Sequence, residues 1–204
     1  MPGLPRLPLA LLTVASAVAL AGCGSSSSVT QGEPITTSGG SSSGPGALQA
    51  EAASAATGDI PDNQVFLVFH DAAAGWSMKY PEGWAQSGGG MRLTFRDKNN
   101  IVRVVVVHGR PPSAASIRRD LAGLAGVHVR SGPAPITLPS GQAFKVVYTT
   151  RSPANAVTGK RVTLTVDRYY LAHAGKEAIV DLGTPVGVDN VDAYRLMIES
   201  FRWR

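Results

Sequence analysis

The chain has 204 residues, 19 Lys and Arg against 14 Asp and Glu, a formal net charge of +5 and one cysteine, Cys23. A basic excess draws anionic partners, but the arginines and lysines are scattered rather than gathered into a nucleic-acid footprint, so no nucleic-acid partner is expected. A single cysteine excludes an internal disulfide framework, and any folded domain must be held by an apolar core.

Residues 1–22 read as a leader. Arg6 gives a short positive start, and Leu7 to Ala21 form a 15-residue apolar stretch broken by Thr13 and Ser16. The stretch falls short of the roughly 20 residues that span a bilayer as a helix. Small residues follow, in the layout of a secretory signal peptide. The run Leu20-Ala21-Gly22-Cys23 looks like a bacterial lipobox, at which lipid such as palmitate is attached to the cysteine thiol and the chain is cut before it. Cys23 is the expected lipidation site, which implies a protein anchored by lipid to the extracytoplasmic face of the cell membrane.

Residues 23–56 are read as a Ser/Gly/Ala-rich tether. Ser25 to Ser28 are all serine, Ser38 to Gly46 hold only Ser, Gly and Pro45, and an alanine-rich run from Ala47 to Ala56 follows. Such residues bring no apolar surface to offset the entropy of ordering, so flexibility is expected, with a reach on the order of 30 Å.

Residues 57–204 number 148 and carry 13 Arg and 5 Lys against 9 Asp and 3 Glu, a net charge of +6. That length makes one domain, burying about 68–70 % of its unfolded surface. Val65 to Phe69 is a short apolar strand. Trp76 to Tyr80 and Met91 to Arg96 alternate apolar and polar residues with the period of two of half-buried strands. Asp97-Lys98-Asn99-Asn100 reads as a hairpin turn, Asn tolerating positive φ. Ile101 to Val107 is apolar on both faces apart from Arg103, the pattern of a central strand covered on both sides. A helix is expected after Pro111-Pro112, with Ser113 as N-cap, Ile117, Leu121 and Leu124 on one face, and Gly126 at its end. Gln142 to Thr150, Arg161 to Ala172 and Glu177 to Leu182 supply three more strands, with a turn at Gly175-Lys176. A second helix opens at Asp189, with Asp192 near its positive end and Val191, Tyr194, Ile198 and Phe201 as its apolar face. The fold class is α+β, a mostly antiparallel sheet flanked by helices.

The decapeptide Gly75-Trp76-Ser77-Met78-Lys79-Tyr80-Pro81-Glu82-Gly83-Trp84 resembles the opening of PsbP-like domains. Thr94-Phe95-Arg96-Asp97, Tyr169-Tyr170 followed by Gly175-Lys176, and the closing Glu199-Ser200-Phe201-Arg202-Trp203 agree with it, so the resemblance spans about residues 64–203. That superfamily includes an extrinsic photosystem II subunit, a Ran-binding import factor and actinobacterial LpqN-type lipoproteins. The resemblance implies an antiparallel sheet with flanking helices acting in docking or assembly, generally without catalysis. No metal or partner site of the family matches residue by residue. Physically, Pro81 cannot donate to a ladder and should end its strand. Gly83 permits a bend that folds Trp84 back over the core.

No strong catalytic signature appears: there is no G-x-S-x-G elbow, H-E-x-x-H or P-loop. Gly88-Gly89-Gly90 lacks a following Lys and reads as a loose turn. His70, His108, His128 and His173 stand too far apart in sequence for a local metal pair. No catalytic residue, metal or cofactor is assigned. Asp181 lies in an otherwise apolar strand and, if buried, needs a partner, with Arg168 on the preceding strand a candidate. The connection from Arg151 to Lys160 exceeds the 2–5 residues usual for a hairpin and has Arg151, Lys160 and Arg161 at its base. Long loops on rigid sheets often carry binding sites, and these three residues are the candidate partner-binding loop. The expected function is that of a lipid-anchored envelope lipoprotein with a non-catalytic docking domain for a protein or cell-wall partner. The alternative is a carrier of a small lipid or apolar ligand.

Overall fold

The computed structural model describes residues 57–155 and 159–204. The expected leader, Cys23 and the tether lie outside these described residues. Two antiparallel sheets and two complete helices are found among the described residues. A small sheet has the order β1 (Phe66–Asp71), β2 (Trp76–Pro81), β10 (Arg202–Trp203). The large sheet has seven strands: β3 (Ala85–Gly89), β4 (Arg92–Asp97), β5 (Asn100–His108), β6 (His128–Leu138), β7 (Gly141–Arg151), β8 (Thr163–His173) and β9 (Lys176–Pro185). Their spatial order is β3-β4-β5-β9-β8-β7-β6, so β9 inserts beside β5 and stands at the centre. Helix α1 covers Ala114–Ala122 and α2 covers Val191–Glu199. The α+β, largely antiparallel architecture expected from the sequence is the one observed.

Alternation along each strand divides the large sheet into two faces. One presents Leu93, Phe95, Val102, Val104, Val180 and Leu182, and packs against α2 and the small sheet through Tyr194, Met197, Ile198, Trp76 and Phe201. The Trp76 and Phe201 rings stack there with centroids 5.8 Å apart, which adds about 0.5–1.5 kcal/mol beyond area burial. The other face presents Ile101, Val146, Tyr148, Leu164, Val166 and Tyr170, and receives α1 through Ile117 and Leu121. Pro81 closes β2 as expected, and Trp76 and Trp84 are both core residues.

Five readings are corrected. β5 is not covered on both sides: Val102, Val104 and Val106 are buried, but Arg103 and Val105 are half-buried and Val107 is exposed. The nine residues of α1 make a rod about 14 Å long, too short to cover that face. Ser113 caps α1 in a reciprocal box with Ser116, but the helix ends at Gly123 and not Gly126, which leaves Leu124 beyond it. In α2, Val191, expected on the apolar face, is 69 % exposed, and Met197, not expected there, lies in the core. Asn190 is drawn inward, accepting from the Ile60 N–H at 2.8 Å and donating to Thr184 Oγ1 at 2.8 Å. Tyr194 lies one turn on, on the same side, so residue 191 turns outward. The left-handed position of the β4–β5 turn falls on Lys98 and not on an asparagine. Finally, the β8–β9 turn is Ala174-Gly175, both with positive φ, and Lys176 already pairs with His173.

Three strands escaped the pattern. β3 is exposed along its whole length, so no apolar alternation marks it, and Gly88 and Gly89, read as a loose turn, pair with β4. β6 carries Pro133 and Pro135 and two register shifts that break its period. β10 is only two residues long. Among the described residues no helix is long and apolar enough to cross a membrane.

Candidate functional site

The site is built from one row of residues across the α1 face of the large sheet. Register places Val146 opposite Arg168, Arg168 opposite Asp181, and Asp181 opposite Arg103 on β7, β8, β9 and β5. A cation, an anion and a cation thus stand side by side on neighbouring strands. Arg168 is 6 % exposed and Asp181 3 %. Arg168 Nε donates to Asp181 Oδ1 at 2.7 Å and its Nη2 to Oδ2 at 2.9 Å, the two-pronged pairing that suits a planar guanidinium. The ion pair expected between these residues is present. Burial pulls the Arg168 pKa down, but the hydrogen bonds and charge of Asp181 outweigh it and hold the guanidinium above its ordinary value.

Aromatic hydroxyls complete the network. Tyr148 donates to Asp181 Oδ1 at 3.3 Å, and burial, with the Asp181 charge beside it, pushes the phenol pKa up. On the other side Arg168 Nη1 donates to Asp120 Oδ2 of α1 at 2.9 Å, and Tyr170 donates to the same oxygen at 2.6 Å. The buried cation is therefore held between a strand carboxylate and a helix carboxylate. Arg103 approaches Asp181 less closely, Nη1 to Oδ2 being 3.8 Å, and its side chain is 41 % exposed.

Past the end of α1 this row opens into a cleft of about 360 Å³. Ile101, Leu164 and Val166 line it from the sheet, and Leu124 and Val127 from the segment after α1. Arg151, Pro153 and Arg161 line it from the long connection. That connection is stapled at its base: the Ser152 N–H donates to the Val162 carbonyl at 2.8 Å, and buried Ser152 Oγ accepts from the Val162 N–H at 3.0 Å. Arg151 Nη2 donates to the Arg161 carbonyl at 3.3 Å, and Arg161 Nη1 to the Ser152 carbonyl at 2.9 Å. The strand floor is packed closely. A Cβ on Gly183 would stand 2.7 Å from Ile101 Cγ2 and 3.3 Å from Val166 Cγ2.

Of the three loop residues expected from the sequence, the structure brings Arg151 and Arg161 to the cleft, whereas Lys160 is exposed and does not line it. Arg103, which interrupts an otherwise apolar strand, was visible in the sequence only as an exception to that pattern. Its partnership with Asp181 depends on β9 inserting beside β5, which local pattern does not reveal. Among the described residues no cluster of three or more His, Cys, Asp or Glu is placed to hold a metal ion. A second groove, about 450 Å³, runs between α2 and the opposite face, lined by Ile136, Leu138, Leu182, Val188, Tyr194 and Ile198 among others.

No family model and no curated protein matches the chain. Several solved structures are similar. A protein of Bacteroides thetaiotaomicron is 15 % identical with a TM-score of 0.43, the match covering 67 % of this chain and 48 % of that one. The chain thus spans about half the length of that structure. Cyanobacterial PsbP of Synechocystis is 14 % identical with a TM-score of 0.47, over 72 % of this chain and 98 % of that one. LpqN of Mycobacterium tuberculosis, described as involved in cell envelope biogenesis, is 13 % identical with a TM-score of 0.40, over 69 % and 91 %.

Proposed function

We propose that this chain is an extracytoplasmic lipoprotein, held at the membrane by lipid on Cys23, whose domain is a non-catalytic docking module. Its partner is a protein or cell-wall component received at the cleft beside residues 151–161. One observation carries the reading: Arg103, Arg151, Arg161 and Arg168 converge on one cleft, lined also by Pro153 at the stapled base of the long connection. Clefts lined by one sign of charge focus the field and raise encounter with oppositely charged partners. The sequence Leu20-Ala21-Gly22-Cys23 supports the anchoring, and the PsbP-like opening motif supports a docking role. The test is a photo-crosslinker at Pro153 in the intact envelope, with and without Arg151→Glu and Arg161→Glu. A discrete adduct that disappears on charge reversal is expected; an adduct that persists unchanged removes the cleft from the docking surface.

A second reading, carriage of a small lipid or apolar ligand, has its own observation in the groove between α2 and the sheet. Its volume lies within the roughly 300–1,000 Å³ of small-molecule sites. Native mass spectrometry of protein released from its own envelope distinguishes the two. A retained mass of small-molecule size supports carriage, and a bare chain opposes it.

A further inference from the structure

The arginine cleft has a chemistry more specific than a basic patch. Its lining side chains include four guanidinium groups and a single carboxylate, Asp181. That carboxylate is already engaged through both oxygens by Arg168. Arg103 stays at 3.8 Å from it, beyond hydrogen-bond distance. Arg151 and Arg161 each give a hydrogen bond to a loop carbonyl, and a guanidinium has five donors, so both keep donors to offer. Three cations thus gather at the mouth of a cleft whose one anion is committed elsewhere. Their mutual repulsion is relieved when an anion enters, and planar guanidinium groups match a carboxylate or phosphate in two-pronged fashion.

Beyond the charged groups, Tyr148 and Thr150 are the polar members of the lining and the remainder is apolar. Ile101, Leu164 and Val166 form the strand side and Leu124 and Val127 the opposite wall, which is no environment for a bare hydrated ion. The volume of about 360 Å³ lies near the lower end of small-molecule sites. We infer that the cleft binds a compact amphiphilic oxyanion, its carboxylate or phosphate head held by Arg103, Arg151 and Arg161 and its apolar body lying against Ile101, Leu124 and Val166. The inference rests on the reading of this cleft as the docking mouth and names the group that enters it. A free organic phosphate and the headgroup of an anionic lipid share this chemistry.

Calorimetric titration of the full-length chain carrying Cys23→Ser tests it. The probes are phenyl phosphate, inorganic phosphate, neutral benzyl alcohol and phosphatidylglycerol vesicles. Phenyl phosphate is expected to bind roughly tenfold or more tighter than either benzyl alcohol or inorganic phosphate, because each lacks one half of the recognition. Arg103→Gln is expected to weaken phenyl phosphate by a similar factor while melting with the parent, since Arg168 already engages both Asp181 oxygens and Arg103 stands 3.8 Å away. Arg103→Lys should retain part of the affinity, and Arg195→Gln on α2, against the opposite face of the sheet, all of it. Arg103-dependent binding of vesicles alone assigns the head to a lipid, and of phenyl phosphate to a free solute; either supports the site. Binding of every probe that is indifferent to Arg103, or no binding at all, overturns it, as does equal affinity for phenyl phosphate and benzyl alcohol. The crosslink at residue 153 separates this from the docking reading. An adduct that survives Arg103→Gln in a chain without oxyanion affinity leaves docking in place and refutes the inference alone.

Discussion

Asp181 shows how much one buried side chain can decide. Both its oxygens accept hydrogen bonds from Arg168, so replacing it strands a cation that is 6 % exposed. Removing one member of a buried pair costs about 3–5 kcal/mol, whereas replacing both with apolar residues is often neutral or stabilising. Asp181→Ala is therefore expected to lose stability in that range in denaturant titrations. Because Asp120 still faces Arg168, the lower end is expected. The double change Arg168→Met with Asp181→Leu should recover most of the loss, and a double variant as unstable as the single one would refute the account. The tyrosines give a second prediction at this scale. Burial raises the phenol pKa of Tyr148, Tyr169, Tyr170 and Tyr194, with carboxylates nearby adding to it at Tyr148 and Tyr170. In the unfolded chain these groups titrate near the ordinary value of about 10. Their stabilisation is complete below that pH and is lost as pH rises through the higher folded values. Tyrosinate absorbance should therefore appear late and together with unfolding. Early titration of these four with the fold intact would contradict the buried network.

At the scale of elements, legibility followed locality. Ser113 was readable as the start of α1 because a cap acts within three residues, and the reciprocal Ser113–Ser116 bonds are present. Ser113→Ala is expected to cost about 1 kcal/mol, read as a lower midpoint at unchanged denaturant slope. β4 was readable because Leu93 and Phe95 alternate with polar neighbours on a one-sided strand. β6 was not, because Pro133, Pro135 and two register shifts break its period. β3 was not, because a strand exposed on both faces has no apolar pattern to read. The site divided along the same line. Asp181 and Arg168 were legible as a pair since a charge among apolar neighbours must find a partner on an adjacent strand. The convergence of Arg103 with Arg161 required the β5–β9 pairing between residues about 80 apart in sequence, which no local rule supplies.

For the whole molecule, the proposed anchoring is the reading with the largest consequence. Under the proposed function, Cys23→Ser is expected to move the protein from the membrane fraction to the soluble fraction and to remove the lipid mass from the mature chain. A variant that stays membrane-bound with unchanged mass would show that Cys23 is not the attachment point. The fold also sets the tempo of its own assembly. The central strand β9 pairs with β5 across a long stretch of intervening chain, and distant pairing slows folding relative to local contacts. The long sheet ends at β6, the outermost strand on that side. Pro133 and Pro135 have no N–H to offer, and the register shifts leave the ladder uneven there. A second copy arriving alongside finds no continuous rail of donors on which to extend the sheet. Under the proposed anchoring, copies held at a surface would meet far more often than in solution, and this blunted border would keep them from pairing along β6.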